Sequence, residues 1–201
     1  MNQKIIFDLG NVLLTFKPEL FLLKYTDNKE TINFFINKIT QSHTWLEMDQ
    51  GRRSVKSARV FFTEKYTEKK PIIDFFFDNW MDIFDIIPDN VQVLEDLNKK
   101  GYDCFYLSNF IEEAYEFVSN KFEFFSFFKS GIISALVKMI KPEQQIYLAL
   151  LQKYQLDPKK CVFIDDIVCF LRPAQKMGFK TIHYSSNCDL RESLKQLGIK
   201  I

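Results

Sequence analysis

The sequence has little of several features that define specialised classes of protein. Its 201 residues include only 4 cysteines, which form no Cys-x-x-Cys pair and no zinc-ligand spacing, so neither a zinc site nor a disulfide framework is indicated. Glycine and proline occur only 6 times each, which excludes collagen-like and low-complexity chains. The longest run without a charged residue is 144–152, far short of the roughly 20 apolar residues that span a bilayer.

An excess of charge of one sign is also lacking. Lysine and arginine total 27 and aspartate and glutamate 26, which gives a net charge of +1 and favours neither nucleic acid nor an anionic membrane as a partner. The first ten residues lack the basic segment, apolar stretch and cleavage site of a secretory signal. Cys104 and Cys161 lie in apolar surroundings typical of buried, reduced thiols. We therefore expect a cytoplasmic protein that binds neither nucleic acid nor membranes.

What the sequence does contain is an alternation of short apolar runs with helical segments. Unbroken apolar runs of about four residues are typical of parallel strands that are buried on both faces. Between the runs, Pro88 opens a predicted helix that ends at Gly101, Pro142 is expected in the first turn of another helix, and Gly178 is expected to cap a third. The predicted strands are 4–7, 104–107, 131–134, 161–164 and 181–184.

Residues 17–87 interrupt this alternation because the whole stretch has the pattern of helices. Strands that alternate with helices elsewhere favour a doubly wound α/β sheet. We therefore predict an α/β fold in which a Rossmann-like parallel sheet core, residues 1–16 and 88–201, carries a small helical cap, residues 17–87, inserted after the first strand.

Polar residues stand at the carboxyl ends of three predicted strands. They are Asp8, Ser108, Asn109, Asp165 and Asp166. The carboxyl ends of parallel strands meet at one edge of a sheet, where ligands bind. Adjacent carboxylates such as Asp165 and Asp166 repel each other, so a nearby cation or base is expected. Mg²⁺ suits an all-oxygen site, and Lys141 could add a further positive charge.

This set of residues is sufficient for phosphoryl transfer. A carboxylate that attacks a phosphate dianion is repelled by it, and a divalent cation together with a lysine removes the repulsion. Hydroxyl and amide donors hold the phosphoryl oxygens, while a covalent aspartyl-phosphate divides hydrolysis into two easier steps.

Four motifs in this order resemble those of the haloacid dehalogenase superfamily: IIFDLGNVLL, LSN, the Lys-Pro pair at 141–142, and FIDD. The resemblance covers essentially the whole chain. KPEQQIY, and FIDD followed by LRPAQKMG, are similar to the phosphatases of the epoxide hydrolase N-terminal domain and of the bacterial glucose-1-phosphate phosphatase group. The resemblance implies an Mg²⁺-dependent phosphatase that hydrolyses a small phosphorylated metabolite through an aspartyl-phosphate, as a monomer or homodimer.

The resemblance also implies a role for each matched residue. Asp8 would be the catalytic nucleophile and, with the backbone carbonyl of Gly10, a metal ligand. Asp166 would complete the metal shell, and Asp165 would orient a metal-bound water or Lys141. Lys141 would be catalytic and would contact both the nucleophile and the phosphate. The residues that would bind the phosphoryl group beside Lys141 are Ser108 and Asn109.

Two departures from the superfamily pattern keep other functions open. Most of its phosphatases carry an Asp general acid/base two residues after the nucleophile, where this chain has Gly10, so water, another side chain or the substrate would have to transfer the proton. The position that usually holds Asn after the Asp pair is Phe170, which affects either metal binding or the positioning of Lys141. The alternatives are a weak or inactive member that binds a phosphorylated ligand, and a dehalogenase. Dehalogenation needs no metal, so the Asp165–Asp166 pair argues against it.

Two groups in the predicted cap could reach a substrate. One group lies where a cap could touch the leaving group, namely Trp45, Glu47 and Asp49. The other is a cluster of four basic residues, for which a solvated helix face is the favoured interpretation and contact with an anionic substrate the alternative. These are Arg52, Arg53, Lys56 and Arg59.

Overall fold

Five parallel strands form one sheet at the centre of the molecule, in the order β3-β2-β1-β4-β5. The computed structural model describes residues 3–201, so residues 1 and 2, with which the predicted core begins, lie outside the described residues. The strands are β1 (Lys4–Phe7), β2 (Cys104–Ser108), β3 (Ser130–Ile133), β4 (Cys161–Asp165) and β5 (Lys180–His183). The five predicted strands are therefore confirmed to within one residue at each end.

The central strand β1 is buried on both faces, which explains its unbroken apolar run. Ile5, Ile6 and Phe7 are fully buried, and Ile6 packs into a different apolar cluster from its two neighbours. In the parallel register Phe7 lies beside Tyr106 of β2 and Ile164 of β4. The residue that follows β1 is thereby placed beside the carboxyl ends of both neighbouring strands.

In the described part of the chain, six α-helices accompany the sheet outside the insertion. They are α6 (Pro88–Lys99), α7 (Glu112–Lys121), α8 (Ser134–Val137), α9 (Gln144–Tyr154), α10 (Val168–Met177) and α11 (Leu190–Gln196). The predicted start at Pro88 is confirmed, and so is the cap at Gly178, whose φ of 99° suits glycine. The prediction for Pro142 is wrong, because α9 begins at Gln144 and Pro142 lies in the preceding turn, after a cis peptide bond.

The segment between β1 and α6 is helical, as expected for a cap. It contains α1 (Pro18–Leu22), α2 (Lys29–Phe35), α3 (His43–Asp49), α4 (Val55–Lys65) and α5 (Lys70–Asn79). The chain enters and leaves this segment along two adjacent paths, since the Thr15 amide donates to the Asp85 carbonyl at 2.8 Å and the Ile87 amide donates to the Leu13 carbonyl at 2.8 Å. The boundaries at residues 17 and 87 stay a prediction. Within residues 3–201, no helix is both long and apolar enough to cross a bilayer.

An aromatic cluster holds the cap helices together. Phe76 of α5 is fully buried at its centre. Among residues 3–201 its ring contacts five others, with centroid distances of 4.5 Å to Phe35, 5.6 Å to Phe77, 5.7 Å to Phe21, 6.0 Å to Trp45 and 6.4 Å to Trp80. Because Trp45 belongs to this cluster, the packing of the cap also determines the position of α3.

Removal of the central ring should therefore destabilise the protein strongly. We expect Phe76→Ala to lower the free energy of unfolding by about 3–5 kcal/mol, because it leaves a cavity that the surrounding rings cannot fill. Urea denaturation monitored by tryptophan fluorescence and circular dichroism measures this change. Leu23→Ala is the matched control, since that side chain is 54% exposed. Equal stability of the two variants would contradict the assigned packing.

Candidate active site

The sheet brings the predicted site residues together at the carboxyl edge of its three central strands. Asp8 follows β1, while Ser108 and Asp165 are the last residues of β2 and β4. Each of these three side chains is buried, as is that of Lys141, which approaches from the turn before α9. Four residues far apart in the sequence thus share one polar cluster inside an apolar core.

Lys141 is the link between the two buried carboxylates. Its Nζ lies 3.0 Å from Asp8 Oδ1 and 2.6 Å from Asp165 Oδ2, with no exposure of the lysine side chain. Burial alone would lower the pKa of Lys141, but the negative charges of Asp8 and Asp165 raise it above its ordinary value. The ammonium group therefore stays charged and directly faces the carboxylate expected to act as nucleophile.

Aromatic rings complete the surroundings of this ammonium group. The Lys141 Nζ lies 5.0 Å from the centroid of the Phe170 ring and 5.5 Å from that of Phe163, within the range of cation–π attraction. The residue that departs from the superfamily pattern therefore contacts the lysine by its ring face. Asp165 is fixed in turn, because the Ile167 amide donates to its Oδ1 at 2.8 Å. Phe170 thus takes part in positioning Lys141 without a hydrogen bond.

The hydrogen bonds of Asp8 leave one of its oxygens available. Its Oδ1 accepts hydrogen bonds from the Ser108 hydroxyl at 2.6 Å and from the Leu9 amide at 2.8 Å, and also faces Lys141. Among residues 3–201, none donates a hydrogen bond to Asp8 Oδ2. These contacts orient the carboxylate through one oxygen while the other remains free for a ligand or for attack.

Asn109 holds the lysine-bearing turn. Its Nδ2 donates to the Lys141 carbonyl at 3.0 Å, and its Oδ1 accepts from the Lys141 amide at 2.8 Å. The side chain also lines the cavity described below. The sequence analysis expected Asn109 to bind a phosphoryl group, whereas the contacts present join it to the backbone of Lys141.

A second feature of the edge is a cluster of three carboxylates. One oxygen from each of Asp8, Asp165 and Asp166 lies within 4.8 Å of the other two. Burial, followed by the negative charge of Asp8, raises the pKa of Asp166, while the 3.3 Å contact from Asn11 Nδ2 and the charge of Lys141 act in the opposite direction. Three carboxylates against one lysine leave an excess of negative charge on hard oxygen donors. This donor set fits a divalent cation such as Mg²⁺.

Asn11 was not singled out by the sequence analysis, although it lies in the first motif. It adopts φ of 51°, and its Oδ1 accepts a hydrogen bond from the Phe16 amide at 3.0 Å. Asparagine tolerates this left-handed conformation better than most residues. The Gly-Asn pair directly after the nucleophile strand was the available signal for such a turn.

A cavity of about 370 Å³ opens above the carboxylates. Its floor is polar and includes Asp8, Gly10, Asn109, Lys141 and Asp166. The walls are mainly apolar, with contributions from both the core and the cap; the aromatic members are Phe16, Trp45, Trp80, Phe84, Phe110 and Phe170. The site therefore combines a charged end with a hydrophobic compartment.

The two groups of cap residues expected to reach a substrate differ in their position relative to the cavity. Trp45 and Asp49 line the cavity, whereas Glu47 forms an ion pair with Arg53 at 2.6 Å. None of the four basic residues lines the cavity, and Arg59 is bound to Asp74 and Asp78. Contact between this basic cluster and a substrate in the cavity is therefore not supported.

Comparison with known proteins identifies the family. Residues 4–168 match the family model described as haloacid dehalogenase-like hydrolase. The chain belongs to this family. The hydrolase is also 32% identical over 168 residues to bifunctional epoxide hydrolase 2 of Mus musculus. That match covers 80% of the chain but only 29% of the much longer relative.

Solved structures share the fold of this hydrolase. A HAD family enzyme of Bacteroides thetaiotaomicron, in complex with magnesium and inorganic phosphate, superimposes with a TM-score of 0.75 at 21% identity, over 96% of this chain and 99% of that one. The L-2-haloacid dehalogenase of Xanthobacter autotrophicus, with chloropropionic acid covalently bound, gives 0.66 at 14% identity, over 98% and 83%. At these identities the similarity establishes the Rossmann-like α/β fold with its helical cap.

The buried lysine of the hydrolase should be essential for stability. We expect Lys141→Met to lower the free energy of unfolding by about 3–5 kcal/mol, because it leaves two buried carboxylates without their counter-charge. Chemical denaturation in metal-free buffer measures the change. Lys153→Met, at an exposed position of α9, should have little effect. A Lys141→Met protein as stable as this control would show that the ion pairs do not organise the site.

Proposed function

We propose that the protein is an Mg²⁺-dependent phosphatase that hydrolyses a small phosphomonoester through an aspartyl-phosphate on Asp8. The observation that carries this proposal is the position of Lys141 against Asp8, beside the carboxylates of Asp165 and Asp166. A nucleophilic carboxylate and a phosphate dianion repel each other, and this arrangement supplies positive charge where the two would meet.

The chain provides distinct groups for binding and attack. Asp8 Oδ2 accepts no hydrogen bond within residues 3–201 and is the oxygen available for bond formation to phosphorus or for a metal. The ammonium group of Lys141 would attract the phosphoryl oxygens, and the Ser108 hydroxyl orients the nucleophile through its hydrogen bond to Asp8. Mg²⁺ held by Asp8, Asp166 and the carbonyl of Gly10 would neutralise further negative charge on the phosphate. Asp165 keeps Lys141 in place.

Two observations favour phosphate transfer over dehalogenation. Dehalogenation by the same nucleophile needs no metal, yet Asp166 adds a third carboxylate to the cluster formed with Asp8 and Asp165. The similar enzyme of Bacteroides thetaiotaomicron has been solved in complex with magnesium and inorganic phosphate. The dehalogenase of Xanthobacter autotrophicus has the same fold, which alone does not decide between the two reactions.

The cavity indicates what kind of ester would fit. A polar floor suits the phosphate, and walls of aromatic and aliphatic side chains favour an apolar leaving group such as an aryl group. The substrate we propose is a small phosphorylated metabolite with such a group. We further propose that the protein acts in the cytoplasm as a monomer or homodimer, without nucleic acid or membrane as a partner.

Hydrolysis of p-nitrophenyl phosphate tests the proposal. We expect turnover with Mg²⁺, loss of turnover with EDTA, and no measurable turnover for Asp8→Asn, since an amide is neither a nucleophile nor an anionic ligand. Asp27→Asn, at an exposed position, is the matched control and should behave as the wild type.

Three outcomes would contradict the proposal in different ways. Turnover by Asp8→Asn equal to that of the wild type would exclude the covalent mechanism. Release of chloride from 2-chloropropionate in EDTA, without phosphatase activity, would favour the dehalogenase. Binding of inorganic phosphate with no turnover of any phosphomonoester would favour an inactive family member.

A further inference from the structure

Hydrolysis of a phosphomonoester requires a proton for the leaving oxygen, and the usual position for its donor holds Gly10. We infer that Asp49, supplied by the cap, is the general acid/base of this enzyme. The inference rests on the proposed phosphatase activity and adds a catalytic residue to it.

Elimination within the cavity points to this residue. Of the described residues that line the cavity, four have ionisable side chains: Asp8, Asp49, Lys141 and Asp166. Asp8 is the proposed nucleophile, Lys141 is bound to two carboxylates, and Asp166 belongs to the carboxylate cluster. Asp49 is the one that remains, and it stands outside that cluster. Among residues 3–201 the Asp49 carboxyl group neither accepts nor donates a hydrogen bond, so it is not committed to a protein partner.

Although Asp49 belongs to the cap, its backbone is fixed to the core. The Ser134 hydroxyl, at the start of α8, donates to the Asp49 carbonyl at 2.5 Å. The Lys138 ammonium donates to the Gly51 carbonyl at 2.6 Å. Gly51 adopts φ of 61°, and a Cβ atom there would lie only 2.3 Å from the Ala135 carbonyl oxygen. The end of α3 is therefore seated directly on the core beside the site.

The surroundings of Asp49 also bring its pKa close to neutral pH. Burial, followed by the negative charge of Asp8, raises its pKa to about 7, while Lys141 acts in the opposite direction. A group with such a pKa transfers protons effectively in either direction at neutral pH. The main cause is burial in the cavity wall, which does not depend on the state of the nucleophile.

The two chemical steps then balance. In the first, Asp8 forms a bond to phosphorus, the bond from phosphorus to the leaving oxygen breaks, and that oxygen takes the proton of Asp49 to leave as an alcohol. In the second, water forms a bond to phosphorus, Asp49 takes a proton from that water, and the bond between phosphorus and Asp8 breaks. Phosphate leaves, and both carboxyl groups return to their initial protonation states.

A series of phosphates that differ in leaving-group pKa tests this inference. A general acid contributes roughly 10²–10⁴-fold, so Asp49→Asn should lower kcat/KM for an alkyl phosphate by about 100-fold or more and for p-nitrophenyl phosphate far less. The dependence of log kcat/KM on leaving-group pKa should be shallow in the wild type and steep in Asp49→Asn. Asp49→Glu should keep the shallow slope. Glu47→Gln, on the same helix but outside the cavity, is the matched control.

A rescue experiment provides an independent readout. A Cβ atom added at Gly10 meets nothing within 4 Å, and its φ lies outside the left-handed region, so an aspartate fits there. Gly10→Asp combined with Asp49→Asn should restore the hydrolysis of alkyl phosphates, because it returns a carboxyl group to the floor of the same cavity. If Asp49→Asn does not fold, Asp49→Ser replaces it in both measurements.

The results separate this inference from the proposed function. One outcome is that the wild type hydrolyses phosphates while Asp49→Asn shows the same slope, or while its kcat/KM falls by the same factor for every phosphate. In either case Asp49 is not the proton donor, and the inference fails while the proposed function stands. Failure of the double variant to recover alkyl phosphate hydrolysis would also overturn it. A wild type with no activity towards any phosphate contradicts the proposed function instead, and this inference with it.

Discussion

The charge of Lys141, held between Asp8 and Asp165 away from water, is the constraint on which the rest of the site depends. A buried ammonium group is tolerated only with counter-charges in direct contact. The parallel sheet supplies them, because its register places the ends of β1 and β4 side by side. The pairing that aligns the strands therefore also brings Asp8, the proposed nucleophile, to the buried cation. A change in strand register would destroy the structure and the chemistry together.

The contacts around this lysine explain why the chain can depart from the usual family pattern. Phe170 replaces an amide side chain, but its ring and that of Phe163 face the ammonium group. Asn109 fixes the backbone on the other side through two hydrogen bonds. Aromatic attraction and backbone pairing thus provide positioning that a side-chain hydrogen bond would otherwise supply. A departure in one motif need not remove the function of the next.

Core and cap contribute different elements to the cavity. The core supplies the proposed nucleophile and the other carboxylates at or just after strand ends, and the lysine in the turn before α9. The cap supplies apolar wall and Asp49, whose position depends on the aromatic packing around Phe76 and on the Ser134 hydrogen bond. The proposed proton donor therefore comes from a segment that is distant in sequence from the nucleophile. On this proposal one element of the fold would contribute to both substrate selection and proton transfer.

Most of the core could be predicted from the sequence, whereas the contribution of the cap could not. Strands buried on both faces leave unbroken apolar runs, and polar residues that follow such runs must meet at one sheet edge, which located Asp8, Ser108 and Asp165. Pro142 was misplaced because a proline in a turn and a proline in the first turn of a helix have the same local pattern. Asp49 was recognised only as near the leaving group, since its burial follows from tertiary packing that no local pattern encodes.

The most direct test of this account is whether phosphate becomes bonded to Asp8. The enzyme is mixed with an aryl phosphate and Mg²⁺, quenched in acid during turnover, and digested for peptide mass spectrometry. The account predicts one added phosphoryl group on the peptide that contains Asp8, and its loss when the quench follows substrate exhaustion. Rapid turnover with no phosphorylated peptide, even in the Asp49→Asn protein with an aryl phosphate, would contradict covalent catalysis by Asp8.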